Sequence, residues 1–591
     1  MNFQFIKALE AYILAEKEAT ISIPVEVCPS HMEGDLTVNC FRFAKAIKGN
    51  PMQLAQEITT WLNNHEDIKK AEAVKAFINV TLTDSALFRD TVNSGVITEQ
   101  CLLPKEERQR ILIEFSAPNT NKPQHLGHVR NNVLGQSTCS ILRRAGHDVV
   151  AVNLINDRGI HICKSMIAYQ RFGNDITPEE FGKKGDHLVG HFYVRYNTEL
   201  KKQVAELREA KPELAEKSDN DLFLETEIGK ATQEMLIKWE EKDPETIALW
   251  TKLNNWVFAG FDVTYKRLGV EFDKVYLESD TYISGKDIIE KGLANGVFYK
   301  REDGAIEIDL EDVKCGKKVV LRSDGTSVYI TQDIGATVLK ANDIKPDGQI
   351  WVVGDEQKYH FKVLFEILKR LGYSWAENLH HMAYGMVNLP TGKMKSREGT
   401  VVDADDLLDE MQRLATLATV ERCGANVPKD LVERATVVGT GALKFMLLKV
   451  NPKTTLMFDP NESVKFEGDT GPYVQYAYAR ICSILRKSKD VEFSDVVDWD
   501  LMGEPSEKEL ALTCARYPEV IKSAANGRDS SQIAGYLINL AKAFSRFYTH
   551  CPVLTAPDKA LIPPRVELCK ITADILKDGL NTLTIGTLES M

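Results

Sequence analysis

Residues 110–157 constrain the fold of this chain more than any other stretch. RILIEFSAPN begins with an apolar run at 111–115 that ends at a proline-bearing loop. Residues 126–144 then read as one long helix, with Gly146 placed to cap it. VVAVNLIND, at 149–157, supplies the next apolar run. Two strands separated by a helix of that length form a crossover unit, so a parallel sheet is implied. The reading is an α/β fold built on a β-α-β unit.

The chain of 591 residues is too long for one hydrophobic core. Residues 1–105 read as a small α+β unit. Phe5, Leu9 and Tyr12 open an amphipathic helix, 41–47 and 52–62 continue as helices, and 21–27 and 77–82 are strands. Residues 106–405 hold the sheet, with short strands near 272–277, 297–299, 305–308, 318–321 and 350–353 and a helix at 360–371. A charged, mostly helical insertion lies around 175–255. From 406 to 591 strand signals nearly vanish, and long amphipathic helices, as at 438–448, 474–485 and 533–548, imply an all-helical domain.

A formal net charge of −12 argues against a chain that wraps nucleic acid without specificity, yet leaves room for local basic patches. Eleven scattered cysteines without a C-x-x-C pair fit a reducing, cytoplasmic setting. Apolar runs are too short to span a bilayer, and the first residues interleave lysine and glutamate with their apolar positions, unlike a signal peptide. No membrane partner is expected.

The densest chemistry lies in SAPNTNKPQHLGHVRNN, residues 116–132. His125 and His128 stand three apart at the helix start, which puts both imidazoles on one face. Gly127 between them carries no side chain, so a large planar ligand can come close. The helix start offers unpaired N–H groups and a positive end, and Lys122 adds a cation just upstream. Imidazoles there can donate to phosphate oxygens as negative charge develops. An H-x-x-H pair alone is more often a solvated helix cap, and no third ligand nearby supports zinc. A second loop, GKMKSREGT at 392–400, brings glycines and three cations, Lys393, Lys395 and Arg397, a composition suited to closing over phosphates.

HLGH after a strand and a proline-bearing loop resembles the HIGH motif of class I aminoacyl-tRNA synthetases. The longer string SAPNTNKPQHLGHVRN resembles the arginyl members specifically. So do NDRG at 156–159, TSVYITQDIGA at 326–336, GDEQKYHF at 354–361 and GDTGPYVQYAYAR at 468–480, all in that family's order. The resemblance implies a Rossmann-like catalytic domain, an N-terminal domain that touches the tRNA elbow and a C-terminal helical domain that binds the anticodon. Within the first domain, HMEGDLTVN at 31–39 and RFAK at 42–45 fall where that domain's recognisable segments lie. It further implies activation of L-arginine by ATP with Mg2+, transfer to the 2′-OH of the terminal adenosine of tRNA(Arg), no structural zinc, and a monomer.

Carried over residue by residue, the ATP side comprises His125, Gly127, His128, Gly354, Met386, Lys393, Lys395 and Arg397. The arginine side comprises Asn119, Glu278, Tyr329, Asp333 and Gln357. A guanidinium needs a planar acidic partner, and Tyr329 and Asp333 share a helix face. The 392–400 loop resembles KMSKS but has Ser396 where the second lysine is usual. Lys122 or Lys395 must then supply the catalytic cation, and Lys122 is favoured. Tyr473, Tyr476 and Arg480 are the expected tRNA contacts, with at least one tyrosine of the 473–478 run packing between helices instead. A cysteinyl enzyme or a nucleotidyltransferase of the same fold fits less well. The usual zinc ligands of the first are not apparent, and the second has no reason to keep a large helical RNA-binding domain.

Overall fold

The computed structural model describes residues 3–29, 31–93, 99–282, 285–390, 402–424 and 427–591. At its centre the expected crossover unit is present. Strand Arg110–Glu114 runs parallel to Asp148–Ile155, with helix Leu126–Arg144 between them in sequence. The full sheet has five parallel strands, in the order Leu379–Tyr384, Gly348–Gly354, Arg110–Glu114, Asp148–Ile155, Lys274–Leu277. The chain lays three strands outward in one direction, then returns to the other side of the first strand for the last two. Strand order therefore reverses beside Arg110–Glu114. Loops leaving the strands diverge at such a point, and the crevice they leave is where doubly wound sheets bind ligands.

The insertion is helical, dominated by Gly185–Ala210, Glu227–Glu240 and Pro244–Leu268. A small antiparallel sheet, Tyr299–Lys300, Ile306–Leu310 and Gly316–Leu321, precedes helix Tyr329–Ile344. The last part of the chain is built from helices such as Leu431–Leu448, Gly471–Ser488, Ser530–His550 and Ile562–Thr582, with one two-residue strand, Leu456–Met457, among its described residues.

Three local readings change. The helix expected at 41–47 is only a tight turn, Cys40–Arg42; Phe41 is exposed, so its apolar residues do not form one face. Strand Ile68–Val74 escaped notice because three of the seven residues of IKKAEAV are charged and break the apolar alternation, as charged side chains on an edge strand tend to. Strand Leu379–Tyr384, also an edge, carries two histidines and is defined by its register against Gly348–Gly354 rather than by alternation.

Packing joins these parts. The first unit docks on the helical domain through the Phe88–Trp499 stack and the Lys508–Asp84 ion pair of 2.5 Å. The far end of helix Leu126–Arg144 is tied to the same domain where Arg144 pairs with Asp578 at 2.9 Å. Tyr517 donates to the same carboxylate at 2.5 Å.

Candidate active site

Where Arg110–Glu114 ends, the backbone turns sharply. Ser116 and Ala117 both adopt positive φ, 75° and 46°, a conformation that disfavours side chains. Surrounding groups hold it in place. The Ser116 N–H donates to Asn131 Oδ1 at 2.6 Å, and the Ala117 N–H donates to Asn153 Oδ1 at 3.0 Å. The Ser116 hydroxyl meets the buried Tyr265 hydroxyl at 2.7 Å. Beyond the kink, Asn119 lies exposed and bridged to Asn156 of the NDRG segment. This turn carries the chain across the crevice to the helix start.

His125 is the N-cap of that helix. Its Nδ1 accepts from the Gly127 N–H at 3.1 Å, while His128 Nδ1 accepts from the His125 N–H at 3.2 Å. An imidazole nitrogen that accepts carries no proton, so in each neutral ring the proton sits on Nε2. The rings are 3.9 Å apart. Burial, reinforced by the Lys122 ammonium, lowers His125 to about 4. Burial, then His125 and Lys122, lowers His128 to about 3. Both are neutral hydrogen-bond donors near pH 7. Gly127 has a local use as well: a Cβ there would come within 3.0 Å of the His125 ring, so the missing side chain makes room for the cap itself.

These shifts set a pH dependence. Both folded values lie below the ordinary 6.5, so the unfolded chain takes up protons first as pH falls. The stability associated with neutral histidines is complete above about pH 6.5 and is lost as pH falls toward 4 and then 3. The melting temperature should therefore decline over this window more steeply in the wild type than in His125→Asn/His128→Asn. Parallel declines in scanning calorimetry would contradict the assignment.

Tyr329 opens helix Tyr329–Ile344 and is 84% exposed, free to meet a ligand. Asp333, one turn on, accepts His360 Nε2 at 2.6 Å through Oδ2. Glu278, at the end of strand Lys274–Leu277, is raised chiefly by burial; Arg158 opposes the shift, while Asp157 and Asp333 add to it. Glu278 and Asp333 thus share one negative region. Buried Asp157 fixes the Glu278 turn by accepting from the Ser279 N–H at 2.9 Å and the Ser279 hydroxyl at 2.7 Å. Gln357 is exposed at the start of helix Lys358–Arg370, three residues before His360.

Gly354 ends its strand, and a Cβ there would strike the Glu356 carboxylate at 2.3 Å. The Met386 side chain is exposed. Lys393, Lys395, Ser396 and Arg397 lie outside the described residues. The residues after that loop return to the histidine helix: the Leu126 N–H donates to Val402 O at 2.9 Å, and the Ala404 N–H donates to Gln124 O at 3.0 Å. Sequence reasoning did not single out Arg130, Asn131 or Asn132. Three consecutive polar residues within a helix of the sheet unit were the available signal: Asn131 also reaches Val352 O at 2.7 Å, and Asn132 donates to Gln124 Oε1 at 2.7 Å.

Among the described residues, Asp186, His187 and Asp405 form the one group arranged like metal ligands. The Lys184 ammonium already sits among them, 2.6 Å from Asp405 and 3.3 Å from Asp186, and also donates to Gly260 O at 2.9 Å. A bound cation would have to displace that lysine.

In the helical domain, guanidinium groups and rings alternate. Arg422 lies over Tyr476 at 3.6 Å and near Phe466 at 4.8 Å, and Arg480 lies over Tyr548 at 4.1 Å. Tyr473 and Tyr476 are half-buried, whereas Tyr478 is buried and packs between helices.

A parallel sheet whose switch point receives an HLGH helix start, with a helical domain after it, defines a class I aminoacyl-tRNA synthetase. The model of the family "tRNA synthetases class I (R), catalytic domain" matches residues 91–460, flanked by "Arginyl tRNA synthetase N terminal domain" at 4–82 and "DALR anticodon binding domain" at 474–591. The chain belongs to the arginyl-tRNA synthetase family. It is 44% identical to the arginine–tRNA ligase of Treponema denticola over 580 residues, covering 96% of this chain and 95% of that protein. To the arginine–tRNA ligase of Bacteroides thetaiotaomicron it is 43% identical, covering 98% and 97%. The arginyl-tRNA synthetase structure from Thermus thermophilus superposes with a TM-score of 0.78 at 28% identity, covering all of both chains.

Proposed function

We propose that the crevice beside strand Arg110–Glu114 carries out arginine–tRNA ligation with the roles given below. The reaction itself is that of the family. An arginine carboxylate oxygen attacks the α-phosphorus of ATP, the bond to the β-phosphate oxygen breaks and diphosphate leaves. The terminal 2′-OH of tRNA(Arg) then attacks the arginyl carbonyl carbon, and AMP leaves.

The observation that carries the residue assignment is the paired Nδ1 acceptance by His125 and His128, which turns both Nε2–H groups into neutral donors. Neutral donors suit a polyanion whose charge shifts during reaction, and their alignment is set before the ligand arrives. Lys122 supplies positive charge on the same side. Gly354, Met386, Lys393, Lys395 and Arg397 complete the nucleotide side. Asp333 and Glu278 receive the guanidinium, Tyr329 and Gln357 line its pocket, and Asn119 serves the α-amino end.

ATP enters class I synthetases with Mg2+, which neutralises part of the phosphate charge. No structural zinc is proposed.

Residues 1–105 are proposed to touch the tRNA elbow, 106–405 to catalyse and 406–591 to read the anticodon. Segment 406–460 joins the last two, since the catalytic family model runs to 460 and Leu456–Met457 pairs with Val387–Asn388. The Arg422, Tyr476, Arg480 and Tyr548 ladder offers π faces and cations for unstacked bases, with Tyr473 beside it. Tyr476→Ala with Arg480→Ala should raise KM for tRNA by about tenfold or more, at roughly 1–3 kcal/mol per lost stack. Arginine-dependent ATP–diphosphate exchange measured at saturating tRNA(Arg) should change little. Among the described residues no helix is long and apolar enough to cross a membrane, and all eleven cysteines are free thiols. A cytoplasmic monomer is the proposed state.

The direct test is aminoacylation of tRNA(Arg) with each amino acid in turn. Charging by arginine alone is expected; charging by another amino acid at comparable efficiency would reject the pocket assignment.

A further inference from the structure

Arg130 is the bulkiest fully buried side chain among the described residues. It lies two residues after His128, and its guanidinium meets no carboxylate among the described residues. Nη1 donates to Met386 O at 2.9 Å; Nη2 donates to Pro452 O at 3.1 Å and to Thr454 O at 2.7 Å. Nε is buried without a partner, and burial pulls the guanidinium below its ordinary range. A buried charge held only by neutral carbonyls costs stability that a leucine would not.

The three carbonyls explain the choice. Met386 precedes strand Val387–Asn388, which runs parallel to Leu456–Met457. At this seam the Gly385 N–H donates to Pro452 O at 3.0 Å, and the Leu456 N–H donates to Met386 O at 2.9 Å. A Cβ on Gly385 would stand 2.7 Å from Thr454 backbone, so the two segments are pressed together. Met386 O and Pro452 O therefore already have backbone donors. What the planar fork adds is a rigid link from the histidine helix to both sides of the seam, which a lysine's single ammonium does not reproduce.

We infer that Arg130 is a positioning residue for the nucleotide: it sets the distance between the His125/His128 helix start and the Met386 backbone. The inference rests on the proposed reading that Met386 borders ATP.

The test uses the full-length protein with Arg130→Lys and Arg130→Gln, in ATP–diphosphate exchange with tRNA(Arg) present. Arg130→Lys should raise KM for ATP about tenfold, the loss expected of one or two charge-assisted hydrogen bonds, with kcat within about threefold and arginine KM within about twofold. Arg130→Gln should show a larger rise. Amide exchange by mass spectrometry should quicken at 385–389 and 452–458 in both variants. Equal changes in the ATP and arginine KM values, an unchanged ATP KM, or unchanged exchange at the seam would each overturn the inference. The Met386 reading is checked separately in the wild type: ATP should protect the 385–389 amides, and lack of protection refutes that reading.

Discussion

Replacing Lys122 by glutamine is expected to lower the single-turnover rate of arginyl-adenylate formation by about 10²–10³, the loss seen when one preorganised donor to a developing charge is removed. ATP binding in the ground state should weaken far less, because the extra charge on diphosphate appears only as the bond breaks. The 392–400 loop has Ser396 where a second lysine is usual, so a cation must come from elsewhere. Lys122 stands near enough to lower both His125 and His128, and it makes no ion pair among the described residues. Its backbone is braced by the insertion: a Cβ on Gly190 of helix Gly185–Ala210 would come 2.6 Å from Pro123 and 3.4 Å from Lys122 Cα. Ser396→Lys in the Lys122→Gln background should restore part of the rate if the two positions reach the same phosphate. A Lys122→Gln enzyme within a few-fold of the wild type would pass the role to Lys395.

Asp333→Asn should raise KM for arginine by about 30- to 400-fold while leaving KM for ATP nearly unchanged. Breaking one side of a hydrogen-bonded charge pair costs about 2–5 kcal/mol. The pocket is still partly open, with the Asp333 side chain 43% exposed, so the lower half of that range is expected. His360 sharpens the prediction. It meets Oδ2 of Asp333, so the carboxylate is oriented before arginine arrives. Lysine should remain a poor substrate in both enzymes, since a compact ammonium lacks the planar fork. Aminoacylation with varied arginine decides the matter: a normal KM in Asp333→Asn would remove Asp333 from the pocket.

The crossover unit and the helical last third were legible because their signals are local. An apolar run, a loop with proline and a long uninterrupted helix leave few alternatives, and 110–157 contains all three. Edge strands were less legible. Ile68–Val74 and Leu379–Tyr384 are held by hydrogen bonds to a neighbour, and their side chains only half record it. The 41–47 stretch failed in the opposite direction, with apolar residues present but Phe41 left at the surface.

The same division runs through the site. Sequence alone determined that two histidines three apart sit at a helix start with Lys122 nearby, and that Tyr329 and Asp333 share a face, because periodicity fixes which residues are neighbours within one helix. Only the tertiary structure decided the rest. The reversal of strand order put the loop after Arg110–Glu114 at the ligand crevice. Folding brought Glu278 near Asp333, and His360 onto it from 27 residues away. It gave the histidines a buried surrounding that keeps them neutral, and it filled the space beside Arg130 with carbonyls more than 250 residues distant. Burial and long-range contact depend on how separate elements pack, and no local pattern encodes them.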